Sequence, residues 1–149
     1  MALDIKIKKL PNFRYDFLPE YQTDGSSGMD LRAAIDKPVE LKSLQRLLVP
    51  TGLAMAIPPG YEGQIRPRSG LSSKQGITVI NAPGTIDSDY RGEVKIPIVN
   101  LSSIPVTIQP DMRVAQLVIA PVTKASWIEV REISATERNS GGFGSTGVE

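Results

Sequence analysis

Ile80-Asn81-Ala82-Pro83-Gly84-Thr85-Ile86-Asp87-Ser88-Asp89-Tyr90-Arg91-Gly92-Glu93 is the stretch around which the chain is organised. It follows the apolar run Gly76-Ile77-Thr78-Val79-Ile80 and leads into Glu93-Val94-Lys95-Ile96-Pro97-Ile98. Both flanks alternate or carry β-branched residues, so both read as strands. Pro83-Gly84 between them favour a turn, and Asp87, Ser88, Asp89 and Gly92 tolerate one. The pattern predicts a hairpin with an acidic, tyrosine-bearing return. Such a hairpin offers backbone groups to a flat polar ligand, a ring to stack beneath it and a carboxylate beside it. The plainer alternative, a solvated turn whose aspartates cap backbone amides, fits the same residues.

Outward from the hairpin the chain reads as short strands separated by turns. Leu3-Asp4-Ile5-Lys6-Ile7-Lys8 alternates apolar and charged residues, and residues 11–28 read as loop. Gly28-Met29-Asp30-Leu31-Arg32-Ala33 alternates again, with Met29, Leu31 and Ala33 on one face and Asp30 and Arg32 on the other. Val39-Glu40-Leu41 is a short strand, and residues 46–57 hold two apolar runs broken at Pro50-Thr51-Gly52. After the turn Pro58-Pro59-Gly60, Tyr61-Glu62-Gly63-Gln64-Ile65-Arg66 resumes the sheet. Ser69 to Gly76 is the one helical segment, capped by Ser69 and ended by Gly76. Beyond the hairpin lie Val106-Thr107-Ile108, the turn Pro110-Asp111-Met112, the run Val114 to Ile119, and Trp127-Ile128-Glu129-Val130. Short strands with 12 prolines and 13 glycines supplying turns predict an all-β sandwich or jelly roll. Residues 1–133 form the β domain, and the polar, glycine-rich segment 134–149 forms a flexible arm.

Composition narrows the chemistry. The 149 residues make one domain, and 17 Lys and Arg against 16 Asp and Glu leave a net charge of +1. No charge excess drives binding to nucleic acid or to anionic lipid. The chain has no histidine and no cysteine, so acid–base work falls to a carboxylate, a lysine or a tyrosine. A metal would take oxygen ligands, which favours Mg²⁺ over zinc. No segment is long and apolar enough to span a bilayer and the start lacks a signal-like apolar run, which predicts a soluble, cytoplasmic protein with no membrane partner.

Four further groups stand out. Arg66-Pro67-Arg68-Ser69-Gly70 places guanidinium groups before a helix start, either as a surface Arg pair on a capped turn or as a phosphate cradle with backbone N–H groups and a hydroxyl. Asp30 lies on a polar strand face, two residues from Arg32, and either hydrogen-bonds water in a metal shell or, more simply, pairs with Arg32. Arg113 and Gln116 are three apart, so a regular strand points them to opposite faces unless a bulge intervenes. Arg138-Asn139-Ser140-Gly141-Gly142-Phe143-Gly144-Ser145-Thr146-Gly147 carries one cation and one ring among glycines and hydroxyls. That segment is either a solvated tail or an arm suited to closing a ring over a bound base.

Taken in order, these five segments resemble the five motifs of the trimeric dUTP diphosphatases. Gly28–Ala33 is similar to the first, Arg66–Leu71 to the second, the hairpin to the third, Arg113–Leu117 to the fourth and residues 138–147 to the fifth. The resemblance implies a jelly-roll subunit in a homotrimer whose sites are shared between chains. It implies Mg²⁺-dependent hydrolysis of dUTP to dUMP and pyrophosphate, limiting uracil in DNA and supplying dUMP for dTMP synthesis. Carried over by position, Asp87 activates the attacking water and Tyr90 packs under the deoxyribose. Asn81, with the backbone around Thr85, Ile86 and Lys95, reads the uracil edge. Arg68, Ser69 and Gly70 hold the distal phosphates and Gln116 the α-phosphate, while Asp30 and Arg113 support the machinery. Arg138 reaches the γ-phosphate, Phe143 stacks on uracil, and Ser145 and Thr146 contact phosphates. No protein side chain is expected to ligate the metal directly. Two residues depart from the pattern: Asp111 and Asn139 stand where glycine is usual, and both types tolerate left-handed backbone. The nearest rival, a dCTP deaminase, needs a glutamate to serve the water, whereas Asp87-Ser88-Asp89-Tyr90 is hydrolase-like.

Overall fold

Pro and Gly punctuation cuts the chain into short β-strands around a single helix, and the computed structural model describes residues 3–143 and 145 of it. In chain order the elements are β1 (Lys6–Lys9), β2 (Met29–Arg32), β3 (Val39–Leu41), β4 (Arg46–Pro50), β5 (Leu53–Ala56) and β6 (Tyr61–Arg66). There follow α1 (Ser69–Gln75), β7 (Ile77–Val79), β8 (Gly84–Ile86), β9 (Lys95–Asn100), β10 (Val106–Ile108) and β11 (Arg113–Pro121). The described residues are thus mostly β. The first strand begins at Lys6 rather than Leu3, although Ile5 and Ile7 still pack against the core as the alternation requires.

Two sheets carry the site. One is four-stranded in the order β2-β11-β6-β8, and the other is three-stranded in the order β4-β9-β7. Two smaller pairs, β1-β5 and β10-β3, complete the sheets, and every pairing is antiparallel. Their inner faces meet in one core that includes Leu31, Ile57, Ile77, Ile96, Ile98 and Ile108, all essentially inaccessible to water. Asn100 is equally buried, and it is satisfied. Its Nδ2 donates to Leu41 O at 2.9 Å and Ile104 O at 2.8 Å, and its Oδ1 accepts from Ser102 N at 2.9 Å. A buried amide with its bonds filled fixes the loop after β9 instead of destabilising it.

The helix differs from expectation at one end. Ser69 is its first residue and not its cap; Arg68 occupies the cap position in extended backbone (φ −91°, ψ 127°), with no side-chain cap bond. At the other end Gly76 adopts φ 67°, and its N–H turns back onto Leu71 O and Ser72 O, as a glycine C-cap does. Residues 127–130 form no strand. Trp127 is 97% exposed, and Ile128, Val130 and Ile133 are exposed with it. The β-branched and aromatic composition met the local rule for a strand, but no strand among the described residues pairs with it. No helix among the described residues is long and apolar enough to cross a membrane.

Candidate functional site

The hairpin is more elaborate than its sequence implies. β7 and β9 pair as predicted, with Ile77 opposite Asn100 and Val79 opposite Ile98, and Ile80 N extends the ladder to Pro97 O at 2.9 Å. The connection turns over residues 80–83, so Pro83 takes part in the predicted turn and Gly84 does not. Gly84 opens β8, which leaves this sheet and pairs with β6 in the other, Gly84 opposite Ile65 and Ile86 opposite Gly63. A second turn at Ser88-Asp89 is closed by Tyr90 N donating to Asp87 O at 3.1 Å. Gly84 is buried where a side chain would be tight, since a Cβ there would sit 3.2 Å from Asn81 Nδ2 and 3.3 Å from Ile65 Cβ.

Because the connection bridges two sheets, it leaves a cleft between them, a cavity of about 190 Å³. Asn81, Thr85, Ile86, Asp87, Tyr90 and Lys95, the six hairpin residues expected to meet the nucleoside, all line it. Ile65, Gly84, Glu93, Val94 and Pro97 also line it and were not foreseen as site residues. Of these, Glu93 has a readable role: its Oε1 accepts from Gly52 N at 2.9 Å and Asn12 Nδ2 at 2.7 Å, and its Oε2 lies 3.8 Å from Lys95 Nζ. It ties the hairpin return to two loops. Tyr90 is half exposed, and its Oη donates to Glu93 O at 2.8 Å, which lays the ring along the cleft. Gly92 makes this possible, because a Cβ at that position would lie 2.5 Å from Tyr90 Oη.

A second cluster forms where β2 and β11 meet the start of α1. Arg68 Nε donates to Asp30 Oδ1 at 2.7 Å, and Arg113 Nη1 donates to Asp30 Oδ2 at 3.2 Å. The expected Asp30–Arg32 pair does not form; Arg32 is taken instead by Asp111. Arg113 and Gln116 share a face after all, because the register of β11 against β2 shifts between Arg113 and Ala115. Gln116 then stands opposite Asp30, and its Nε2 donates to Pro67 O at 2.9 Å. The extra residue in the bulge buries Val114 and Ala115 side by side and rotates Arg113 back to the Asp30 side. Arg66 plays no part here, since its guanidinium is held by Gln64 Oε1. The cluster therefore presents two cations aimed by one carboxylate, with exposed Ser69 and Gly70 beside them, an arrangement able to hold an anion.

The cleft and this cluster share no lining residue and no hydrogen bond among the described residues. The described residues of the arm meet neither: Arg138 Nε donates to Gly141 O at 2.9 Å, Ser145 N donates to Gly142 O at 3.0 Å, and Phe143 stands free of the fold. Thr146 lies outside the described residues. The two residues that replace the usual glycines both adopt left-handed backbone, Asp111 at φ 67° and Asn139 at φ 46°.

No cluster of three or more carboxylates that would hold a metal occurs among the described residues. A depression that shares Asp87 with the cleft is lined by Glu62, Ser88 and Asp89 and also by the cation Lys124.

An all-β chain with a cleft lined by backbone and carboxylate, and a separate arginine cluster, has the parts of a nucleotide-binding protein. A family model described as dUTPase matches residues 15–147, and the chain belongs to that family. The deoxyuridine 5'-triphosphate nucleotidohydrolase of Bdellovibrio bacteriovorus is 57% identical over 145 residues, covering 97% of each chain. That of Fusobacterium nucleatum is 56% identical over 130 residues, covering 87% of this chain and 89% of its own. Among solved structures, the Staphylococcus bacteriophage 80alpha dUTPase with dUpNHpp superposes with a TM-score of 0.81 at 29% identity, covering 97% of this chain and 99% of that one. A mutant dUTPase from phage phi11 of S. aureus, described with a structural Mg(II) ion, superposes with a TM-score of 0.74 at 26% identity, covering 87% and 97%.

Proposed function

We propose that this protein is a dUTP diphosphatase, hydrolysing dUTP to dUMP and pyrophosphate in the cytoplasm. The observation that carries the reading is the cleft. All six hairpin residues assigned to the nucleoside line one cavity, and Asp87 stands at its mouth beside Tyr90. Uracil enters between Asn81 and the strand backbone at Thr85 and Ile86. Backbone donors and acceptors there match its edge and pair poorly with the cytosine amino group. The Tyr90 ring lies beneath the deoxyribose and leaves no room for a 2′-hydroxyl.

Asp87 takes a proton from water, whose oxygen bonds to the α-phosphorus while the bond to the bridging oxygen breaks and pyrophosphate leaves. Arg68, Ser69 and Gly70 hold the distal phosphates and Gln116 the α-phosphate, with Arg113 and Asp30 fixing Arg68. Mg²⁺, when bound through substrate oxygens and water, neutralises phosphate charge. No histidine or cysteine is needed for this reaction, and the chain has neither.

The site is completed between chains of a jelly-roll homotrimer. This reading is supported by the separation of cleft and arginine cluster in one chain and by the exposed apolar residues Trp127, Ile128, Val130 and Ile133. Residues 134–149 then serve as an arm over a neighbour's cleft, Phe143 stacking on uracil, Arg138 on the γ-phosphate, and Ser145 and Thr146 on phosphates. Pyrophosphate release measured with the four standard dNTPs, dUTP and UTP tests the proposal. Release from dUTP alone, supported by Mg²⁺ and abolished by EDTA, is expected. Equal release from dCTP or dTTP, ammonia release from dCTP, or full activity in EDTA would refute it.

A further inference from the structure

The turn before β11 holds a contact that the proposed chemistry does not use. Asp111, at φ 67°, donates its N–H to Ala33 O at 3.0 Å. Its carbonyl oxygen and its carboxylate Oδ1 each accept from Arg32 Nη1 at 3.1 Å. Arg32 sits two positions from Asp30 on the same strand, its Cα is the register partner of Arg113, and it lines the same depressions as Asp30. Three guanidinium groups, on Arg32, Arg68 and Arg113, are thus carried around one carboxylate with two oxygens. Asp30 gives one oxygen to Arg68 and the other to Arg113. The third cation is drawn aside by Asp111, with its guanidinium also 5.3 Å from the centre of the Phe17 ring.

We infer that Asp111 is a positioning residue for the phosphate site: it detains Arg32, so that Asp30 aims Arg68 and Arg113 at the nucleotide. The inference rests on the reading of the Arg68 cluster as the phosphate site. The Arg113–Asp30 bond is the longer and more exposed of the two, so it is the one a released Arg32 displaces. Arg32 and Asp111 are themselves part exposed, at 29% and 52% of their side chains, so solvent screens the pair. The effect on ligand binding is correspondingly modest.

The test uses dUpNHpp binding to the full chain. Asp111→Asn keeps a residue tolerant of left-handed backbone and removes the charge, and Asp111→Gly also relaxes the backbone. Both variants are expected to raise Kd about two- to fivefold, in line with loss of an exposed charge pair, while kcat for dUTP stays within about twofold. Adding Arg32→Ala to either removes the competing cation and returns Kd to near the wild-type value. A merely structural role for Asp111 predicts no such rescue, so a double variant as weak as Asp111→Asn overturns the inference. Wild-type binding by Asp111→Asn overturns it too, provided that Arg68→Ala binds weakly. If Arg68→Ala binds dUpNHpp normally, the phosphate reading itself falls, and the role of Asp111 with it.

Discussion

Gly92→Ala isolates the contact that lays Tyr90 along the cleft. The new methyl carbon would sit 2.5 Å from Tyr90 Oη, 2.7 Å from Cζ and 3.0 Å from Cε2, closer than real carbons approach. The backbone of Gly92 needs no left-handed φ, so alanine brings no backbone strain of its own. The ring must therefore swing outward, which its 45% exposure permits. Swinging breaks the 2.8 Å bond from Oη to Glu93 O, at about 1 kcal/mol of fold stability. It also withdraws ring surface from the sugar; at ~25 cal/mol per Å², roughly 40 Å² amounts to about 1 kcal/mol of binding. Tyr90 N is also bonded to Asp87 O, so part of any shift reaches the carboxylate proposed as the base. Together these predict a kcat/KM for dUTP lower by about five- to thirtyfold, equivalent to roughly 1–2 kcal/mol, and a narrower preference for dUTP over UTP. Steady-state kinetics on Gly92→Ala, Tyr90→Ala and the double variant check it. If the methyl acts through the ring, it has little left to do once the ring is gone, and the two losses are far from additive. Full additivity, or wild-type kinetics for Gly92→Ala, would refute the steric argument.

Asp87→Asn is expected to bind dUpNHpp nearly as wild type while kcat falls by roughly 10²–10⁴-fold; turnover within a few-fold of wild type removes Asp87 from the chemistry. Co-refolding Asp87→Asn with a chain truncated after Ile133 tests the shared site. In a cyclic mixed trimer about one site in three takes a sound hairpin from one chain and an arm from another, so activity well above either parent is expected. Confirmed mixed trimers as inactive as the parents would place hairpin and arm of one site on a single chain. Tyr15 gives a pH prediction. Burial first, and then the Asp111 carboxylate, push its phenol above the usual range, against the opposing charges of Arg32 and Arg14. The folded state thus holds this proton more tightly than the unfolded chain does. The resulting stability is complete below about pH 10, the unfolded value, and is lost as pH rises through the folded one. Tyr15→Phe, which deletes the 2.7 Å bond to Ala33 O, should cost about 1 kcal/mol at neutral pH and flatten alkaline unfolding measured in urea.

What the sequence made legible is what local chemistry decides. Pro50-Thr51-Gly52 separates β4 from β5 where the breakers stand, and Gly76 ends α1 in left-handed backbone. Six of the residues that line the cleft lie on one continuous stretch, because a single hairpin carries them. What failed depends on partners distant in sequence. Asp30 finds Arg68 and Arg113, 38 and 83 residues away, and not Arg32 two residues along. The shift in β11 carries no Gly or Pro to announce it, and β8 leaves its hairpin because β6 offers an unfilled edge. At residues 127–130 the strand propensity is genuine, but a strand needs a neighbour and the described residues supply none.

Trp127 is the only tryptophan of the chain, and it stands 97% exposed in that segment. The protein's intrinsic indole fluorescence thus comes from one known address. While water surrounds the ring its emission stays red, and whatever covers residues 127–133 moves it to the blue without any added label. Dilution reverses the change if the cover is another copy of the chain, so an emission spectrum taken across concentrations reads association directly.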